Sequence, residues 1–213
     1  MTRQTHAGNP IGRFSQPKLR APSLWRGRRV GLLGGSFNPA HDGHRHISLM
    51  ALKKLGLDQI WWLVSPQNPL KSTDGMAPLA ERIDSAQAVA RHPHIIVTSI
   101  ETDLGTRYTA DTLPALQRAF PGTAFTWLMG ADNLSQIRHW QHWNRIFETM
   151  PVAVLARAPY CLRARSSMAA IRYERHRLPH ARASRLNSGR PPRWVYLPIP
   201  LHGASATAIR AAR

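Results

Sequence analysis

The stretch VGLLGGSFNPAHDGH, residues 30–44, decides how this chain is read. Val30–Leu33 is an apolar run of strand length, Gly34 and Gly35 end it, and a helical pattern begins near Gly43. A strand that stops at glycines and feeds a helix is the point where open α/β sheets bind ligands. The helix start offers unpaired N–H groups and a partial positive charge, which suits phosphate. Two phosphate loops can be tested against the residues. A dinucleotide fingerprint needs GxGxxG, but Gly31 and Gly34 stand three apart and no third glycine fits. A P-loop needs GxxxxGK followed by Ser or Thr, and no such run occurs.

Working outward, short apolar runs recur at Ile60–Val64, Ile95–Thr98, Phe125–Met129, Val152–Leu155 and Trp194–Leu197. Helical patterns lie between several of them. Ile47, Met50, Ala51 and Leu55 mark one face, and Leu79, Ile83, Ala86 and Ala90 another. This alternation predicts an α/β fold, a doubly wound parallel sheet with helices on both faces, spanning residues 28–213. Pro114 interrupts the segment Thr109–Phe120, so a late start or a kink is expected there. Residues 163–190 are Arg-rich and weakly patterned, with partial helix expected. Residues 1–27 mix Pro, Gly, Gln, Ser and Arg without apolar periodicity and read as a disordered basic extension.

The formal charge of +18 invites a nucleic-acid reading, so its distribution matters. Residues 30–156 carry ten basic and ten acidic side chains, whereas residues 1–29 carry seven basic and no acidic ones. Residues 157–193 hold ten arginines against Glu174 alone. The excess therefore belongs to the flanks, and solvated basic appendages on a neutral domain describe it best. No apolar run is long enough to span a bilayer, and the N-terminus lacks the pattern of a secretory signal. The lone Cys161 excludes an internal disulfide and fits a reducing, cytoplasmic setting.

The chemistry of the opening stretch rests on HxGH, at His41, Gly43 and His44. Gly43 keeps the backbone small between the imidazoles, so both rings can meet a ligand at the helix start. Histidines there donate to phosphate oxygens and stabilise charge as it builds. HDGHRH also offers His46 for a metal reading, but no Cys or Glu joins at ligand spacing. His46 reads as a surface residue.

GGSFNPxHxGH, Gly34–His44, resembles the signature of the HxGH nucleotidyltransferases, and with its GGSFNP lead-in it resembles the bacterial nicotinate-nucleotide adenylyltransferase family. Four further segments agree in order. SPQNPLK, ending at Lys71, is similar to that family's proline-rich loop after the second strand. RYTADTL resembles the segment carrying Thr109, Asp111 and Thr112. GADNL followed by HWQHW resembles the fourth-strand loop with its aromatic pair, Trp140 and Trp143. SATAIR, with Ser205, Thr207 and Arg210, resembles the C-terminal phosphate motif, although Ala204 stands where isoleucine is usual.

The resemblance implies a Rossmann-like fold and attack by a mononucleotide phosphate on the α-phosphorus of ATP, expelling pyrophosphate. His41, His44 and Arg210 would be catalytic. Gly34, Gly35, Ser36 and Phe37 would line the ATP site with the two histidines. Gly130, Asp132, Ser205, Thr207 and Arg210 would complete it. Lys71, Thr109 and Trp140 would take nicotinate mononucleotide, and Mg²⁺ would arrive with ATP and find few protein ligands. Read alone, Lys71 is a surface lysine, and Trp140 and Trp143 have the spacing of core aromatics on a helix. Asp132 is equally a helix cap, and Glu81 and Arg82 read as a solvated or ion-paired helix face.

Two other readings remain open at this point. Pantetheine-phosphate adenylyltransferases and cytidylyltransferases share HxGH, usually without GGSFNP or YTxDTL. A basic nucleic-acid-binding protein would rest on the flanking arginines, which lack an interleaved aromatic platform.

Overall fold

Each of the six apolar runs is a strand in the computed structural model, which describes Gln16 and residues 19–66, 75–156, 161–200, 202–204 and 209. The order is β1 (Arg29–Gly35), α1 (Asp42–Leu55), β2 (Gln59–Val64), α2 (Leu79–Ala90), β3 (Ile95–Thr98), α3 (Ile100–Leu104) and α4 (Thr109–Ala119). There follow β4 (Ala124–Gly130), α5 (Ala131–Gln136), α6 (Trp143–Thr149), β5 (Val152–Leu155), α7 (Cys161–Arg165) and α8 (Met168–Arg172). The last strands are β6 (Arg177–Leu178) and β7 (Trp194–Leu197). The two-residue β6 was not readable from periodicity, being too short to show one.

The strands form one seven-stranded sheet in the order β3-β2-β1-β4-β5-β7-β6. Every pairing is parallel. The chain winds outward from β1 to β3, then crosses to β4 on the other side. The strand order therefore reverses between β1 and β4, and the crevice beyond their carboxyl ends is the expected ligand position. Gly35 ends one wall of that crevice and Gly130 the other.

Alternation along the strands builds a core on each face. Val30, Leu32, Trp61 and Leu63 join Leu113, Leu116 and Phe147 on one side. Leu33, Ile60, Trp62 and Val64 join Ile47, Ala51, Leu55 and Ala86 on the other. Helix α4 begins at Thr109 and runs through Pro114. Pro114 forgoes one backbone bond, and the burial of Leu113, Ala115, Leu116 and Ala119 holds the turn on either side of it.

Both basic flanks differ from expectation where they are described; residues 1–15, 17 and 18 of the expected disordered extension lie outside the described residues. Leu19 and Trp25 of the N-terminal segment belong to the core. Leu19 is fully buried, Trp25 ends a short 3₁₀ turn at Pro22–Trp25, and the Trp25 ring meets Trp61 edge-on at 4.8 Å. The Gln16 amide also donates to the Val97 carbonyl. Two apolar residues without periodicity gave no signal of this packing, so the boundary at residue 28 falls inside a packed segment. The Arg-rich stretch is likewise no appendage. Ala169, Ala170, Tyr173, Ala183 and Leu186 are buried, and the Trp194 indole donates to the Tyr173 carbonyl at 2.8 Å. Most of its described arginines remain exposed, as expected for a solvated charge.

Candidate active site

Helix α1 starts on its own histidines. His41 is the N-cap residue, with extended backbone, and its Nδ1 accepts the Gly43 amide at 3.1 Å. The His44 Nδ1 accepts the His41 amide at 3.3 Å. Two otherwise orphaned N–H groups of the first turn are thereby satisfied by imidazole in place of the usual hydroxyl or carboxylate. An amide only donates, so each Nδ1 is the acceptor nitrogen, and in the neutral rings the proton sits on Nε2. The capping geometry thus fixes the tautomer, with the proton of each neutral ring on Nε2.

Packing holds these rings from behind. His41 and His44 lie 3.9 Å apart between centroids, and Phe37 contacts His44 at 4.7 Å and stacks on Trp62 at 5.0 Å. Phe37 reaches that position through a left-handed backbone, φ +47°, uncommon for a residue with a side chain. The Trp62 indole donates to the Ser48 hydroxyl at 2.7 Å, and Ser48 donates to the His44 carbonyl at 2.9 Å. Gly43 is required as expected, because a Cβ there would lie 2.8 Å from the His41 ring and 3.1 Å from the Ala204 carbonyl. Gly34 has a different reason from close ligand approach: a Cβ would collide with the Trp127 ring.

The Ala204 contact brings the chain just before SATAIR against the start of α1. The His46 Nε2 lies 2.7 Å from the Pro200 carbonyl, and its ring 5.5 Å from His202, which fastens the same return of the chain. His46 is therefore an anchoring residue rather than an idle surface one. Ser205, Thr207 and Arg210 lie outside the described residues, as does Lys71.

Across the crevice, Gly130 has extended backbone and precedes α5, whose first turn holds the half-buried Asp132. The expectation of Trp140 and Trp143 on one helix is not met. A 3₁₀ turn ends at His139, Trp140 is extended, His142 is left-handed at φ +51°, and α6 starts at Trp143. The two tryptophans consequently face different surroundings. Both are half-buried against the same core cluster, but Trp143 packs edge-on against Phe147 and Tyr173, whereas Trp140 touches Trp127 edge-on at 6.5 Å. Thr109 is the first residue of α4, which packs beside α6, and Asp111 pairs with Arg145 at 3.4 Å. A surface cavity of about 770 Å³ between Trp25, Arg28, Lys53, Leu57 and His94 lies at the opposite, amino ends of the strands.

Comparison with known proteins gives the same assignment as the turn. The cytidylyltransferase-like family matches residues 32–212. A protein of Cereibacter sphaeroides described as "Probable nicotinate-nucleotide adenylyltransferase" is 53% identical over 182 residues, covering 85% of this chain and 96% of its own. One of the same description from Parvibaculum lavamentivorans is 51% identical over 191 residues, covering 90% and 95%. The chain belongs to the nicotinate-nucleotide adenylyltransferase family. Its fold also matches the nicotinic acid mononucleotide adenylyltransferase of Plasmodium falciparum complexed with NaAD, with a TM-score of 0.66 at 14% identity over 86% of this chain and 83% of that one.

Two residues of this family member escaped the sequence reading. Arg82 is 2% exposed, not on a solvated face, and Glu81 beside it is exposed. Its guanidinium donates to the Ala77, Ser36, Ser65 and Pro66 carbonyls at 2.7–2.9 Å. Glu101, in α3, is also buried and accepts the Thr112 hydroxyl at 3.1 Å. Burial pushes its carboxyl up to about 7, against hydrogen bonds from Thr112 and Ser65 that hold it down. Charged residues on short amphipathic segments read as surface, and only tertiary contacts reveal such burial.

Proposed function

We propose that this chain transfers the adenylyl group of ATP to nicotinate mononucleotide, giving nicotinate adenine dinucleotide and pyrophosphate, a step in NAD biosynthesis. The observation that carries the reading is the pair of histidines whose Nδ1 atoms are occupied by backbone amides, so that both Nε2–H groups serve as donors. The mononucleotide phosphate has a second pKa near about 6 and is mostly dianionic at neutral pH, so the nucleophile needs no general base. Rate acceleration then comes from alignment and from donors aimed at charge on the α-phosphorus oxygens and the departing pyrophosphate.

In this mechanism His41 and His44 meet the α- and β-phosphates. Gly34, Gly35, Ser36 and Phe37 shape one wall, and Gly130 and Asp132 the other. Arg210 clamps the β- and γ-phosphates, with Ser205 and Thr207 donating beside it. Trp140 and Thr109 receive the pyridine end, and Lys71 the mononucleotide phosphate. Mg²⁺ would arrive with the nucleotide and supply charge neutralisation at its phosphates. Among the described residues no cluster of three His, Cys, Asp or Glu side chains could hold a metal. Among the described residues no helix is long and apolar enough to cross a membrane. We assign the cytoplasm on the reducing setting that a lone Cys161 fits.

Pyrophosphate release tests the reading, with ATP and nicotinate mononucleotide, nicotinamide mononucleotide or 4′-phosphopantetheine in parallel. The expected result is turnover with nicotinate mononucleotide well above the other two. Turnover confined to phosphopantetheine, or to CTP in place of ATP, would replace it.

A further inference from the structure

Arg82 places four N–H groups on four carbonyls from two loops, those after β1 and β2, all within 2.9 Å. Nη1 takes the Ser36 carbonyl at 2.8 Å and the Ser65 carbonyl at 2.7 Å, so one nitrogen sets the gap between the loops after β1 and β2. Nη2 holds Pro66, and Nε holds Ala77, at the entry to α2. Among the described residues its hydrogen-bond partners are all carbonyls, so a buried guanidinium (2% exposed) is retained here without a carboxylate. Burial lowers its affinity for the proton, a cost that a merely packed core would avoid.

The loops it joins are those of the crevice. Ser36 immediately precedes Phe37, the ring packed against His44. Asn38 repeats the link, donating to the Gly75 carbonyl at 3.0 Å and accepting the Ala77 amide at 3.3 Å. Ser65 also donates its amide to the Gly35 carbonyl at 3.0 Å and shares its hydroxyl with Glu101. Glu101 accepts Thr112, three residues into the helix that opens at Thr109. One buried line of contacts thus runs from the histidine turn to the start of α4.

We propose that Arg82 is a positioning residue for adenylyl transfer, setting the distance between the Ser36–Phe37 turn and the strand end at Ser65, and through Ser65 and Glu101 the start of α4. This rests on the function proposed above. A planar fork spans carbonyls from separate loops, which a lysine ammonium at one point does not. Displacing reacting groups by about 1 Å costs about 100-fold in rate.

The test is Arg82→Lys and Arg82→Ala beside the wild type, with thermal melting, KM for each substrate and kcat. Arg82→Lys is expected to fold and keep KM for ATP within about threefold while kcat falls about 100-fold. Millimolar guanidinium is expected to restore part of the kcat of Arg82→Ala, and ammonium none. Normal kcat in Arg82→Lys overturns the proposal, as does failure of that variant to fold, which would make Arg82 a folding residue. Absence of pyrophosphate release from the wild type would instead refute the proposed function, and this proposal with it.

Discussion

The histidine turn and the Trp140 loop are built differently. Both histidines accept a backbone amide at Nδ1, pack on each other, and are backed by Phe37, Trp62 and Ser48. Trp140 has extended backbone between a 3₁₀ turn and a left-handed His142, half-buried, with exposed Arg138, His139, Gln141 and His142 around it. Groups that act on a transition state must be fixed before the reaction, because their orientation cannot then cost free energy during it. A loop that selects a substrate tolerates adjustment. On the function proposed above, the turn would serve the rate, and the loop the choice of mononucleotide.

Mutations should separate those roles. The largest effect is expected for His44→Ala and His41→Ala, which should each lower kcat by about 100- to 1000-fold, while loss of the capping acceptor costs only about 0.5–2 kcal/mol of stability and leaves the protein folded. Near-normal turnover in a folded His44→Ala protein would erase the distinction. Trp140→Ala should raise KM for nicotinate mononucleotide by about tenfold and leave KM for ATP within about twofold, the aromatic contact being worth about 1–1.5 kcal/mol. Loss of ATP affinity instead would move that loop to the nucleotide side.

A smaller effect separates the frames behind the two regions. Glu101 has its carboxyl raised to about 7 in the folded chain, so the folded state holds a proton that the unfolded state releases near 4.5. The stability tied to that proton is complete below about 4.5 and is lost as pH rises through about 7. Glu101→Gln should therefore flatten the fall in melting temperature between about pH 4.5 and about pH 7, the window set by that shift, and the two proteins should converge at the acid end. Parallel curves would contradict it. The smallest effect is expected for removal of the residues before Gln16. A chain beginning at Gln16 should melt and turn over like the full chain. Deletion through Leu24 removes Leu19 from the core and should cost about 2–5 kcal/mol, because a fully buried leucine is lost.

The turn was legible in the residues because its constraints are local. Strand, glycines and HxGH lie within fifteen consecutive positions, and the parallel sheet with its covering helices follows from the alternation of runs around them. Arg82 and Glu101 were not legible, since each is defined by carbonyls or hydroxyls distant in sequence, such as Ser36 and Ser65 for Arg82. Leu19 and Trp25 were hidden for the converse reason. They are single apolar residues in a basic, proline-bearing segment, and their places come from a core distant in sequence, as in the contact of Trp25 with Trp61. The break between Trp140 and Trp143 depends on the left-handed His142, which no residue preference announced.

The tautomer of the two rings tests the central claim most directly. Long-range ¹H–¹⁵N correlation of histidine-labelled protein, recorded above about pH 8 where unperturbed imidazole is neutral, reports which nitrogen carries the proton. His41 and His44 should both appear as Nε2–H, and the Nε2 resonances should move on adding ATP while each Nδ1 keeps its acceptor shift. An Nδ1–H form in either ring, or Nε2 signals indifferent to ATP, would contradict the account.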